Sequence, residues 1–215
     1  AREAARRGLA FGLGQFGLGL SWVYLSIHDH GGAPIALAAL ITLAFVALLA
    51  LFPALLGGLL QPLGRRQPIF YLLAMPAGWV LAEWVRGWFM TGLPWLLLGH
   101  SQIDTWLGGF APLGGSYAIS LAVASLAALL VWTVLAWRWT QALLGLAIAA
   151  LILAGGWSAK RLAWSLPHGE PLSVALVQGN LSQAQKWAPA YRDTAIARYR
   201  DLSQAHLDAD LLLWP

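Results

Sequence analysis

Glu83 and Arg86 stand three residues apart in EWVRGW, between two strongly apolar segments. On a helix that spacing puts a carboxylate and a guanidinium on one face, close enough to pair. A charge at membrane depth is costly unless it is paired or faces water, so such a pair marks a candidate site. The same spacing also fits a plain ion pair at a helix end, snorkelling to the interface beside an aromatic belt. Two chemistries are therefore open to Arg86. It can attract a phosphate head group through charge-assisted hydrogen bonds, or it can neutralise Glu83. The stretch Glu83–Trp106 also carries four of the thirteen tryptophans and the string GHSQID.

Other chemistries are poorly supplied. The chain has no cysteine, hence no disulfide framework, thiolate metal site or cysteine nucleophile of its own. His28-Asp29-His30 sits in a glycine-flanked stretch without further convergent ligands, so a solvated turn is expected and no metal. GLGQFG at Gly12–Gly17 has the dinucleotide-binding spacing, but no strand precedes it and it lies inside an apolar twenty-mer. Its glycines suit close helix approach instead. No cofactor is expected.

The elements that hold these residues are membrane helices. Of 215 residues, 59% are hydrophobic and 10% charged, and the mean hydropathy is +0.66. That composition describes an integral membrane protein. The net charge of +4 comes from basic residues scattered at the ends of apolar segments, which signals topology and not nucleic acid. Five spans are expected: Gly8 to Ile27, Pro34 to Leu60 with Pro53 as a kink, about Pro68 to Met90, about Phe110 to Trp137, and about Thr140 to Trp157. Pro76 and Gly78 are candidate irregularities in the third span. Thr91 to Gly109 reads as a half-apolar connection that cannot continue a helix through Gly92-Leu93-Pro94. Arg2, Arg6, Arg7, Arg65, Arg66 and Arg138 fall on one side, which is then cytoplasmic. The connection and everything after Trp157 fall on the other side, with Lys160-Arg161 as the exception.

From Pro171 the pattern changes. Leu172 to Val177 reads as a buried strand, Ala190 to His206 as a helix with a stripe of Tyr191, Ala195, Tyr199 and Leu202, and Asp210 to Trp214 as a second buried strand. Strand, helix and strand of these lengths make a right-handed parallel crossover. Ligands collect at the carboxyl ends of such strands, where Pro215 stands. Residues 1–165 are thus expected to form a transmembrane domain and 166–215 the N-terminal part of an exported α/β domain. Ala1 and Pro215 both read as cut points within a longer protein.

Two blocks of this sequence resemble one family. GWVLAEWVRGW, TGLPWLLLGHSQID and FAPLGG are similar to the membrane domain of the bacterial apolipoprotein N-acyltransferases. VALVQGNLSQAQKW and DLLLWP are similar to the opening of that family's nitrilase-like domain. The departure is His100, where an aromatic residue often precedes Ser-Gln. The resemblance implies an α-helical membrane bundle followed by the start of a nitrilase-like domain. It implies an enzyme that moves an acyl chain from a phospholipid to the amino group of a diacylglyceryl-cysteine lipoprotein through a cysteine thioester. The catalytic Glu, Lys and Cys are expected beyond Pro215, so no residue of this chain is catalytic and the chain alone should be inactive. Trp187 matches a tryptophan implicated in substrate handling, and Trp95 matches the family's Pro-Trp. With Arg86, Ser101 and Gln102 they are the expected substrate-binding residues. The implied setting is the bacterial inner membrane, multi-pass, with the C-terminal domain periplasmic. The implied partners are a phospholipid donor and a diacylglyceryl apolipoprotein, with no nucleic acid. Two other readings remain: a membrane-anchored nitrilase-type amidase, and a non-enzymatic transporter or anchor. A transporter should show internal repeats or polar residues spread over several spans, and the sequence has neither.

Overall fold

The structure, a computed structural model, describes residues 1–63, 70–135, 138–182 and 189–215. It divides into two compact units, one of Ala1–Tyr24 with Pro34–Trp164 and one of Leu25–Ala33 with Ser165–Pro215. Its helices are α1 (Arg2–Gly19), α2 (Trp22–Leu25), α3 (Ile35–Leu60), α4 (Met75–Arg86), α5 (Ala111–Val134), α6 (Trp139–Ala159) and α7 (Arg192–Ser203). Two strands, β1 (Val174–Leu176) and β2 (Leu211–Leu213), complete the described elements.

Ile35–Leu63, Trp106–Val134 and Trp139–Ala159 are each long and apolar enough to cross a membrane. A fourth crossing results if α1 and Trp22–His30 count as one broken span. The first helix differs from the expected Gly8–Ile27. It begins at Arg2, within the basic segment, because Glu3 lies in its first turn and pairs with Arg7 one turn on. It ends at Gly19, where the glycines of its last turns weaken it. His28–Gly32, expected as a loop, instead enters through a π-helical turn, Ser26–His30. Arg65, Arg66 and the expected start of the third span lie outside the described residues. The described part of that span opens with a π-helical turn, Phe70–Ala74, and Pro76 occupies the first turn of α4, where its missing N–H is harmless. α3 continues as one helix through the buried Pro53. α5 carries a break that the sequence reading missed: Gly114 and Gly115 have non-helical angles, and Gly115 has φ 61°, ψ −151°, open to glycine alone.

In the first unit the helices present leucines outward, among them Leu40, Leu43, Leu55 and Leu59 on α3. Such all-round apolarity suits lipid. Packing runs through three buried clusters. Phe16 and Leu20 meet Val46 and Leu49, with Leu93 of the connection inserted among them. Tyr71 packs on Ala128, Leu129 and Trp132, and Leu107, from the far end of the connection, packs on Ile119 and Ala122. The connection is therefore nailed into the bundle at both ends.

The second unit holds the expected crossover. β1 and β2 pair in parallel, Val174 opposite Leu211, Ala175 opposite Leu212 and Leu176 opposite Leu213. The expectation of fully buried strands needs correction. Val174, Leu176, Leu211 and Leu213 are exposed, while Ala175 and Leu212 are half-buried. Side chains alternate between faces, and only one face of this two-stranded ladder is covered among the described residues. Along α7, Ala195 and Tyr199 are half-buried and Ser203 is buried, but Tyr191 and Leu202 are exposed. Tyr199 stacks on Trp214 at 5.4 Å, and Trp214 Nε1 donates to Ser203 Oγ at 2.8 Å.

Asp210 clasps the start of the ladder. Its carboxylate accepts from Ser173 N at 2.8 Å and Ser173 Oγ at 2.9 Å. The backbone bond first, then the hydroxyl, hold its pKa below the ordinary aspartate value. A lowered folded pKa stabilises above the unfolded value, and that contribution disappears as pH falls through the folded one. Ser173→Ala should therefore raise the titration midpoint of Asp210, read from its side-chain carboxyl carbon in NMR spectra. An unmoved midpoint would show that the Ser173 hydroxyl does not bond Asp210 in solution.

Candidate functional site

The site is the connection from Gly87 to Phe110, and its shape is set by two charges at the end of α4. Glu83 is 3% exposed and Arg86 4%. Spacing alone predicts a direct ion pair between them. Among the described residues the ion pairs are Arg7–Glu3, His28–Asp29 and Arg200–Asp201, and Glu83–Arg86 is not one. The reason is that both groups are committed to the connection. Arg86 Nη1 donates to Leu93 O at 3.1 Å and Trp95 O at 2.6 Å, and Nη2 donates to Leu96 O at 3.4 Å. Glu83 Oε1 accepts from Leu98 N at 2.8 Å and from Trp79 Nε1 at 2.9 Å. The guanidinium also lies 5.3 Å from the centre of the Phe16 ring.

The backbone so held is strained. Met90, Thr91 and Leu96 have φ of 50°, 77° and 59°, three of the four such non-glycine residues among those described. Each costs roughly 1–3 kcal/mol. A hydrogen bond to a charged group returns about 1.5–3 kcal/mol, so bonds of this number offset strain of that size. Downstream, Gly99 N donates to the buried Ser120 Oγ at 2.8 Å. A Cβ on Gly99 would stand 2.2 Å from Ser116 O, so only glycine lets the GHSQ turn lie on α5. Thr105 Oγ1 accepts from Leu107 N at 3.2 Å, capping the last turn of the connection.

Lys160 accounts for the exception in the charge pattern. Its ammonium donates to Asp104 O at 2.8 Å and Thr105 O at 3.0 Å, and Arg161 lies 3.6 Å over the Trp157 ring. The basic pair at the end of α6 is thus tied to the connection and to an indole.

What the strained connection displays is aromatic and apolar. Trp88, Phe89, Met90, Trp95, Ile103 and Trp106 are all exposed. Trp95 meets Trp22 edge-on at 6.0 Å, and Trp88 meets Trp84 at 5.6 Å. Ser101 Oγ donates to Leu98 O at 2.8 Å and receives Gln102 Nε2 at 3.2 Å, while His100 is exposed beside them. The structure therefore places Trp95, Ser101 and Gln102 on one connection bonded to Glu83 and Arg86 of α4, with Arg86 buried and Trp95 exposed. Trp187 lies outside the described residues. Sequence reasoning missed Trp79, Ser120 and Lys160. Trp79 is one turn before Glu83 and could have been inferred; the other two depend on tertiary contacts. Among the described residues no group of three or more His, Cys, Asp or Glu side chains is placed to hold a metal. A cleft of about 580 Å³ lies between α1, α3, α4 and α5, with Phe11, Leu56, Met75 and Val131 in its mainly apolar walls and Arg7 and Gln61 also lining it.

Arg86→Ala should remove three carbonyl partners and leave Glu83 as a buried charge without a cation. The expected loss is on the order of 3–5 kcal/mol, seen as a lower melting temperature in detergent. Arg86→Lys, with one compact ammonium, should fall between. A wild-type melting temperature for Arg86→Ala would refute the clamp.

Comparison with known proteins follows this geometry. The family profile described as the apolipoprotein N-acyltransferase N-terminal domain matches residues 1–129, which include the clamp and the whole connection. The apolipoprotein N-acyltransferase of Methylococcus capsulatus is 44% identical over 216 residues, covering 99% of this chain and 42% of the relative. That of Vibrio vulnificus is 41% identical, covering 100% of this chain and 42% of the relative. That of Pseudomonas putida is 44% identical, covering 100% and 43%. The chain thus spans about two fifths of the length of the curated relatives it matches. With a profile match over more than half of its residues, this chain belongs to the apolipoprotein N-acyltransferase family.

Proposed function

We propose that this chain supplies the membrane domain, residues 1–165, and the opening of a nitrilase-like domain, residues 166–215, of a lipoprotein N-acyltransferase. The observation that carries the reading is the strained, tryptophan-bearing connection clamped by Glu83 and Arg86 in a chain of this family. The reaction has two halves. A cysteine thiolate attacks the ester carbonyl of a phospholipid, forming a thioester and releasing a lysophospholipid that takes up a proton. The amino group of the diacylglyceryl cysteine then attacks the thioester, forming an amide and returning the thiol. Since the chain has no cysteine, its own residues serve access and binding.

Both substrates carry acyl chains and must reach the site from the bilayer, which a helical bundle allows from the side. Trp95 is assigned to the lipid-facing rim: an indole is apolar on its face and donates at its edge. Ser101 and Gln102 offer hydrogen-bonding groups beside it. Arg86 is assigned a structural role, because its donors already serve three carbonyls. Trp187 is assigned to substrate contact. In the full-length enzyme, Trp187→Ala should preserve folding and lower acyl transfer about tenfold to a hundredfold, for roughly 1–3 kcal/mol of lost aromatic contact. The assay pairs a labelled phospholipid with a diacylglyceryl peptide in detergent. Hydrolysis of small amides without acyl transfer would favour the amidase reading, and neither activity would favour the anchor.

The proposed setting is the bacterial inner membrane, crossed five times by this chain, with the connection and the segment after α6 on the periplasmic side. The basic residues at the start of α1, between α3 and α4 and at Arg138 support assigning that side to the cytoplasm. The bond from Lys160 to Thr105 supports placing the end of α6 with the connection. Single cysteines at Gly31, Thr105 and His168 should react with an impermeant thiol reagent in intact spheroplasts, and one at Gln67 should not. Labelling at Gln67 alone would reverse the orientation.

A further inference from the structure

Glu83 Oε2 and Gln15 Oε1 are buried oxygens with no hydrogen-bond partner among the described residues. Gln15 comes from α1 and Glu83 from α4, yet both line one small cavity, together with Phe16, Trp79, Ala82 and Arg86. Two acceptors cannot satisfy each other, and an unmatched buried polar atom is expensive. The cavity measures about 20 Å³, and one water needs about 10–15 Å³ with two to four polar partners. A water has two hydrogens to give, one for each orphaned oxygen. Its own oxygen can accept from Arg86, whose guanidinium has five N–H groups and spends three on Leu93, Trp95 and Leu96.

We propose that this cavity binds one structural water that donates to Glu83 Oε2 and Gln15 Oε1 and accepts from Arg86. The water closes through solvent the acid–base pair that the sequence spacing leads one to expect as a direct contact. It also extends the clamp from α4 to α1, giving Gln15 a reason to stand in the apolar part of α1 that follows Arg7. The inference does not depend on the reaction proposed above. The full-length protein in lipid nanodiscs, imaged by electron cryomicroscopy at a resolution that shows ordered solvent, should have one peak about 2.5–3.2 Å from both oxygens. A Gln15 amide touching Glu83 directly, or no peak at this position, overturns the proposal. Gln15→Leu gives a second test through its sign. If water is bound, the substitution strips it of a partner and lowers the melting temperature by a few degrees. If the cavity is dry, the substitution removes an unsatisfied carbonyl, and the melting temperature stays or rises, which also overturns the proposal. Should Gln15→Leu fail to fold, the wild-type map decides alone.

Discussion

A buried guanidinium with three carbonyl oxygens in front of it governs this structure. Arg86 cannot be withdrawn without stranding Leu93 O, Trp95 O and Leu96 O, and Glu83 cannot be withdrawn without freeing Leu98 N. A buried polar group left without a partner is costly, so irregular buried backbone survives only where other groups satisfy it. The clamp is that satisfaction. It lets the chain leave α4, pass through Met90, Thr91 and Leu96 in left-handed conformations, and arrive at α5 with its polar groups matched.

The neighbouring packing serves the same end. Leu93 is driven into the α1–α3 cluster and Leu107 into the α5 cluster, so apolar anchors bracket the polar ones. Gly99 against Ser116 and Lys160 against Thr105 fix the later turns. The buried side chains of the connection, Leu93, Leu97 and Leu107, are aliphatic, and its tryptophans, Trp88, Trp95 and Trp106, are exposed. Exposed indoles gathered there suit lipid or the membrane interface better than water.

Much of this was legible in the sequence because the signals are local. Uncharged runs locate α3, α5 and α6 to within a few residues, and the shift at Pro171 announces the parallel β1–β2 ladder. Glu83 and Arg86 draw attention through cost alone, as charges between apolar segments. What spacing could not supply was their partners. Positions i and i+3 predict each other, but the winning acceptors were carbonyls seven to ten residues downstream, reachable only once the connection folds back. The break at Gly114-Gly115 hid for a related reason: glycines inside an apolar span read equally as packing or as a kink. Strand burial was overstated because a continuous apolar run says nothing about how many faces are covered.

The loss of the direct ion pair also changes what Arg86 can do. A guanidinium held by a carboxylate keeps donors free to turn outward, where a phosphate could recruit it. A guanidinium held by three carbonyls at 4% exposure has three of its five N–H groups engaged and its charge screened from the rim. Recruiting it to a head group would break the bonds that hold the backbone at Leu93, Trp95 and Leu96, so Arg86 sets where the exposed Trp95 stands.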